Sequence, residues 1–351
     1  GGFGGAPKFP VPHNLRLLLR HGQRTGDEKS TAMVIQTLRA MRRGGIWDQV
    51  GHGFHRYSTD EQWLLPHFEK MLYDQALMAM ACVEAWQVTG ADDLRETAER
   101  TFEYVLRDMT SPQGAFWSAE DADSEGEEGL FYLWTPDQLA DVLGPSDGAL
   151  AGALWGVVEG GNFRDQASGE RVGGSILHLP EPLEAFAARY ELEPAALRER
   201  VEQWRRKLFA AREARVHPFK DDKVLTDWNG LMIAALALGG RAFDEPRYVQ
   251  SAARAADFVW DHLRDGDGRL LKRWRAGSAG IAALLDDHAF LVWGLLELYQ
   301  ADGDPRWLRR ALEVNARMLA RFHDPDRGGF YLAPDDAGDL IVRAKESYDG
   351  A

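Results

Sequence analysis

The sequence holds one cysteine, Cys82, in 351 residues, so the chain cannot build an internal disulfide, a Cys-x-x-Cys redox pair or a thiolate zinc site. It also lacks a long apolar run: nothing approaches the roughly 20 residues that a membrane-spanning helix needs. Positive charge is in deficit, with 41 Lys and Arg against 55 Asp and Glu and a formal net charge of −14. That balance argues against a nucleic-acid or anionic-membrane surface, either of which wants clustered bases. Phosphate-cradling glycine motifs are missing too. No GxGxxG follows a strand, no GxxxxGK[ST] occurs, and Gly277-Ser278-Ala279-Gly280 lacks the first glycine of a GxSxG elbow. Nucleotide-dependent and serine-hydrolase chemistry are therefore not expected, and no cofactor is. What remains, 45% hydrophobic and 27% charged residues, is the balance of a soluble globular protein, expected in the cytoplasm.

Helical periodicity dominates the rest. Apolar residues recur at i, i+3, i+4 and i+7, as in Leu231, Ala234, Ala235 and Leu238. The pattern predicts helices over 28–43, 69–89, 92–109, 136–155 (broken near Pro145), 182–213 (broken near Pro194), 227–242, 246–264, 286–301 and 304–322. Short strand signals lie between them at Phe131 to Trp134, Leu270-Leu271 and Phe330 to Leu332. No βαβ alternation appears. A weak internal repeat organises the chain: a glycine-rich or aromatic turn is followed by an Asp that opens a small-residue helix. Gly44 to Trp47 leads to Asp74-Gln75-Ala76, Gly268 to Leu271 leads to Asp287-His288-Ala289, and Gly328 to Tyr331 leads to Asp349-Gly350-Ala351. Asp227-Trp228-Asn229-Gly230 opens another such helix, 60 residues before Asp287, and Asp349 lies 62 beyond it. Each unit reads as a helical hairpin with a decorated loop. The expectation is an all-α fold, an (α/α)6 toroid of hairpins with short β-strands in the loops, over 1–351 as a single domain; an open α-solenoid is the alternative. The chain opens without Met at Gly1-Gly2-Phe3 and stops at Tyr348 to Ala351, which reads as an excerpt with the ring incomplete at its C-terminal end.

Two long motifs carry a resemblance. Gly44-Gly45-Ile46-Trp47-Asp48-Gln49-Val50-Gly51-His52-Gly53-Phe54-His55-Arg56-Tyr57 and Pro66-His67-Phe68-Glu69-Lys70-Met71-Leu72-Tyr73-Asp74-Gln75-Ala76 resemble the spermatogenesis-associated protein 20 family. So do Gly1 to Pro10, Glu120 to Trp134, Gly161-Asn162-Phe163, Ile176-Leu177-His178 and Asp221 to Leu231. The resemblance implies a six-hairpin, glycosidase-like domain, with a thioredoxin-like domain preceding Gly1 as its partner in the same protein. That domain type is similar to glycoside hydrolases and sugar 2-epimerases, and a fold of this kind does not fix a reaction. The chain departs from the family at His288, where Tyr is common.

Candidate site residues follow from the repeat. Asp74, Asp227 and Asp287 at inner-helix starts are either a ring of catalytic carboxylates or ordinary N-caps that accept backbone N–H bonds. Gln75, Asn229 and His288 beside them favour substrate binding, since a cap accepts any neighbour. His52, His55 and His67, with Glu69, form a loop cluster suited to proton transfer near neutrality, with metal ligation and plain loop-holding as rivals. Six acids within Glu120 to Glu128 read as a turn at the mouth, with Asp121 and Asp123 placed for sugar hydroxyls; Tyr132 stands where a calcium loop needs Glu, so no metal is expected. Of the twelve tryptophans, Trp47, Trp63, Trp117, Trp134, Trp228 and Trp274 fall in loops or at helix starts, with rings available to stack on sugars or pack the core. Together these point to a sugar-active enzyme whose small-molecule partner is a carbohydrate. Epimerase-type proton transfer by His55 and Asp227, with Asp74, Asp287 and Asn229 orienting the substrate, leads. Glycosidic hydrolysis is the alternative, and a non-catalytic ligand- or client-binding domain is the rival.

Overall fold

The computed structural model describes residues 1–164, 169, 171–338 and 340–345. Among these, the helices are α1 Pro12–Thr25, α2 Glu28–Arg43, α3 Leu72–Thr89, α4 Asp92–Asp108, α5 Pro136–Leu143 and α6 Pro145–Trp155. They continue with α7 Leu183–Arg189, α8 Pro194–Arg212, α9 Thr226–Phe243, α10 Pro246–His262, α11 Leu285–Asp302 and α12 Pro305–Phe322. The chain is mostly helical and of the six-hairpin type. Its strands are two to five residues long and lie in the connections.

Local chemistry sets the boundaries. Proline occupies the first helical position of α5, α6, α8, α10 and α12, where its missing N–H costs no hydrogen bond. Thr135 and Gln138 close a reciprocal capping box at α5, and Asp304 accepts from the Arg306 N–H at α12. The breaks at Pro145 and Pro194 fall as the prolines dictate. Helix α1 escaped the periodic pattern because only Leu15 and Leu19 of its leucines are buried, amid arginines at 16, 20 and 24. Phe131 to Trp134, read as a strand, is a turn instead: Trp134 alone bridges Ser175, while Phe131, Tyr132 and Leu133 are inserted into a core. Phe330 likewise makes only an isolated bridge with His323, whereas Leu271–Arg275 is a true strand. The repeat at Asp349-Gly350-Ala351 lies outside the described residues.

The chain divides into two compact units. The first comprises 1–70, 88–101 and 120–220. An apolar cluster joins Trp134 to Leu139, Leu154, Trp155, Phe186, Trp204 and Leu208 of α5, α6, α7 and α8. A smaller one gathers Phe68, Phe131, Tyr132, Leu133 and Ile176. Beside it the buried Asp48 carboxylate takes both Nη atoms of Arg212, at 2.8 Å each, and Lys70 Nζ at 2.8 Å. It also accepts from the N–H groups of Val50 and Gly51, so each of its lone-pair directions is used and the buried charge is offset.

The second unit comprises 71–87, 102–119 and 221–351. Its centre is α9, buried on nearly every face, as an inner helix must be when helices surround it. Helix α11 packs against α9 backbone to backbone. A Cβ on Gly230 would stand 2.5 Å from the Phe290 carbonyl carbon, and one on Gly294 would stand 2.6 Å from the Gly230 oxygen. The hairpin Leu271–Arg275 with Ser278–Ala282 pairs antiparallel to Val224–Leu225, Leu225 opposite Arg273. That register delivers the next residue of the hairpin, Lys272, to the first turn of α9.

Candidate functional site

The second unit assembles a charged cluster at the starts of α9 and α11. Asp227 is the second residue of α9, and Asp286 and Asp287 are the second and third of α11. None is an N-cap. Asp287 reaches back to accept from the Leu284 N–H through Oδ2 at 2.7 Å, and its Oδ1 accepts from the Asp227 N–H at 3.2 Å. The two helix starts are thus tied through one carboxylate. Lys272 Nζ donates to Asp227 Oδ2 at 2.6 Å and stands 3.6 Å from Asp287 Oδ1. The Thr226 hydroxyl donates to the Leu271 oxygen at 2.6 Å and locks the strand carrying Lys272 onto α9.

The electrostatics follow from burial. Asp287 is fully enclosed, and desolvation followed by the Asp227 charge pushes its carboxyl up to about 7, against the opposing Lys272 ammonium. Asp286, half-buried, is raised for the same two reasons, burial first and Asp227 second. Burial would lower the Lys272 ammonium, but the carboxylates of Asp287 and Asp227 reverse this and hold it above its ordinary value. Three carboxyls around one ammonium cannot all ionise cheaply, so a proton stays in the cluster toward neutral pH. Such a group holds both an acid and a carboxylate, the pair that general acid–base chemistry needs.

Lys272 and Asp286 were not singled out from sequence. Asp286 is adjacent to a repeat position and was legible as half of an Asp-Asp pair. Lys272 carried no signal, since strand pairing alone brings it in.

Asp74 and Gln75 are buried in the first turn of α3, Gln75 donating to the Met71 oxygen at 3.2 Å. Asn229 is fully buried and committed to backbone: its amide donates to Phe116 O and Leu225 O and its oxygen accepts from Phe116 N, each at 2.9 Å. It splices two segments, with both amide N–H groups taken by backbone carbonyls. Trp228, half-buried, meets Tyr73 edge to face at 5.0 Å. His288 lines a separate cavity, described below.

The histidine cluster lies in the first unit and does not suit proton transfer. His55 is buried against Phe68 and Tyr132, bonded to the Phe68 oxygen at 2.9 Å; burial and the nearby Lys70 charge bring its pKa to about 3. His52 is buried beside Trp47 with its pKa well below the ordinary value, chiefly by desolvation. His67 bridges two carboxylates, Glu128 at 2.8 Å and Glu69 at 3.0 Å, an arrangement that holds a loop. Asp121 and Asp123 are exposed. Trp47, Trp63 and Trp134 are core residues, each at most 1% exposed, and Trp274 packs on Phe258, so their indoles do not form a sugar-lining set. Among the described residues no group of three His, Cys, Asp or Glu is placed to hold a metal ion, and no helix is long and apolar enough to cross a membrane.

No family model matches the chain. Over its full length it is 38% identical to mouse spermatogenesis-associated protein 20 and spans 48% of that protein, so it is homologous to about half of this relative. Two solved structures share its fold. An α-1,6-mannanase of a Salegentibacter species, an inactive variant bound to α-1,6-mannotetrose, matches 93% of this chain and 67% of its own at 13% identity and TM-score 0.53. A family 76 mannosidase of Bacteroides thetaiotaomicron matches 92% and 63% at 10% identity and TM-score 0.54.

Proposed function

For a homologue of spermatogenesis-associated protein 20 with a six-hairpin fold, we propose a carbohydrate-active enzyme that hydrolyses a glycosidic bond with the carboxyl cluster of its second unit. The observation that carries this reading is the arrangement of Asp227, Asp286 and Asp287 around Lys272. It keeps Asp227 ion-paired to Lys272 while Asp287, pushed up to about 7, holds a proton toward neutrality and Asp286 is raised in the same direction. Retaining and inverting glycosidases both divide their work between a protonated and an ionised carboxyl. Asp286 is the half-buried member of the successive pair and takes the role of general acid. Asp227, bonded to Lys272 at 2.6 Å, is the partner carboxyl. Asp287, enclosed and bonded to two N–H groups, positions both helix starts.

Epimerase-type proton transfer is the weaker reading, because burial brings its base, His55, to about 3, too weak to take a proton effectively near neutral pH. The carbohydrate as partner, and a thioredoxin-like domain working beside this chain, remain parts of the proposal.

The test is a panel of α-linked manno-oligosaccharides and other di- and trisaccharides, read by reducing-sugar release for the chain and for Asp286→Asn. Hydrolysis that falls by about 10³-fold or more in the variant, with affinity kept, supports the reading. Equal turnover in both proteins, or no bond cleaved anywhere in the panel, ends it.

A further inference from the structure

A cavity of about 270 Å³ lies in the second unit, lined by Leu270, Ala283, His288, Arg317, Ala320 and Phe322 among others. We propose that it binds a small hydroxy acid with an apolar body: Arg317 takes the carboxylate, His288 accepts the hydroxyl, and Leu270, Ala283 and Phe322 enclose the body.

Each part rests on a separate observation. The rim arginines are already neutralised: Arg269 pairs with Asp336 at 2.7 Å, and Arg321 with Asp335 at 3.0 Å and Asp336 at 3.7 Å. Arg317 differs. Its Nη2 donates to the backbone oxygen of Asp267 at 2.9 Å, and among the described residues no carboxylate pairs with it. A guanidinium presents five N–H donors in a planar fork, and one carbonyl leaves the carboxylate-binding edge available. The neighbouring Glu313 is engaged by Arg264 and does not compete.

His288 supplies the complementary polarity. Its Nδ1 lies 2.8 Å from the Leu284 oxygen, and a carbonyl can only accept, so Nδ1 carries the proton and Nε2 of the neutral ring is an acceptor. Burial, together with the Arg317 charge, keeps the ring neutral. An acceptor beside an unpaired guanidinium fits a hydroxyl next to a carboxylate and rejects a second anion. The Phe322 ring, 4.8 Å from the imidazole, and the Leu270 and Ala283 side chains form a wall that favours an apolar body over a fully hydroxylated one. The volume lies at the small end of ligand sites, which limits the guest to about a dozen heavy atoms.

This inference stands apart from the hydrolytic reading, because it concerns equilibrium binding at a cavity that Asp227, Asp286 and Asp287 do not line. The probes are mandelate, which has all three features, phenylacetate, which lacks the hydroxyl, and neutral mandelamide, each titrated calorimetrically into the chain. Mandelate is expected to bind more tightly than either relative. Arg317→Gln is expected to weaken mandelate and phenylacetate by about tenfold or more, and His288→Phe to erase the advantage of mandelate over phenylacetate. Ala320→Trp, a change at an exposed position, should block all binding without touching the charges and guards against a misfolded Arg317 variant. Mandelamide binding as well as mandelate, unchanged affinity in a folded Arg317→Gln protein, or no heat from any probe at millimolar concentration would each overturn the proposal.

Discussion

Replacing Asp287 by Asn isolates the electrostatic core of the candidate site. The asparagine oxygen keeps the hydrogen bond from the Leu284 N–H, and the side chain keeps its volume, so the main loss is the titrating carboxyl. In the fold that carboxyl is raised from an ordinary 3.8 to about 7, so between those limits the folded protein holds a proton that the unfolded chain has released. Linkage then makes the native protein gain stability as pH falls through 7 and lose it as pH rises. For these two pKa values the gain between pH 8 and pH 5 is about 2.5 kcal/mol, an order-of-magnitude figure. Other titrating groups contribute to both proteins, so the quantity to read is the difference between them. Urea unfolding of the chain and of Asp287→Asn at pH 5, 6, 7 and 8 measures it. The parent is expected to gain about 2 to 3 kcal/mol relative to the variant on going from pH 8 to pH 5. The absolute offset at pH 8 is a poor criterion, because relief of a buried charge opposes the loss of the bond from the Asp227 N–H. Parallel pH curves for the two proteins would refute the account of a carboxyl held protonated by burial.

Two further outcomes test the packing and the first unit. Gly230→Ala puts a methyl 2.5 Å from the Phe290 backbone, where no flexible side chain can yield, so α9 and α11 must separate. A loss of about 3 kcal/mol or more in unfolding free energy is expected, at the upper end of overpacking costs, and a loss below about 1 kcal/mol counts against the close helix contact. His67 is raised above its ordinary value, first by its hydrogen bond to Glu128, so its bond to that loop is present at acid pH and lost as pH rises through the raised value. Hydrogen-exchange protection at 121–129 should fall over that rise, and Glu128→Gln should flatten the dependence. Protection that is constant with pH in the parent removes the histidine from any role in holding the loop.

Most of the helical framework was legible because its signals are local. Proline at first helical positions, Thr135 and Asp304 as caps, and the apolar period of α9 each act within a few residues of chain. The errors have physical causes of the same kind. Tryptophans in loop-like sequence, such as Trp47 and Trp63, left stacking on sugars and core packing both open by spacing; their loops fold inward and the indoles are core. For the motif histidines, residue type left proton transfer, metal ligation and loop-holding open, and burial decides for His55: at a solvent-facing position it would titrate near neutrality, and enclosed beside Lys70 it does not. Asn229 seemed free beside an aspartate, but a buried amide must satisfy its donors, and the Phe116 backbone uses them.

Lys272 marks the boundary of what spacing can reveal. The 60-residue interval relates Asp227 to Asp287 because both are repeats of one structural position, so periodicity finds them. Lys272 has no counterpart in that period; it arrives because Leu225 pairs with Arg273 across a two-residue strand and because Thr226 bonds Leu271. Its arrival changes the meaning of the aspartates. Without the ammonium, Asp227 and Asp287 would be two buried carboxyls in mutual repulsion, each free to take the proton. With Lys272 bonded to Asp227 at 2.6 Å and 3.6 Å from Asp287, the pair is made unequal. The ammonium is bonded to Asp227, while burial raises the α11 carboxyls, Asp287 to about 7 and Asp286 in the same direction. The proposed division between acid and carboxylate therefore depends on an unequal lysine contact supplied by a short strand, rather than on the aspartates that the repeat displays.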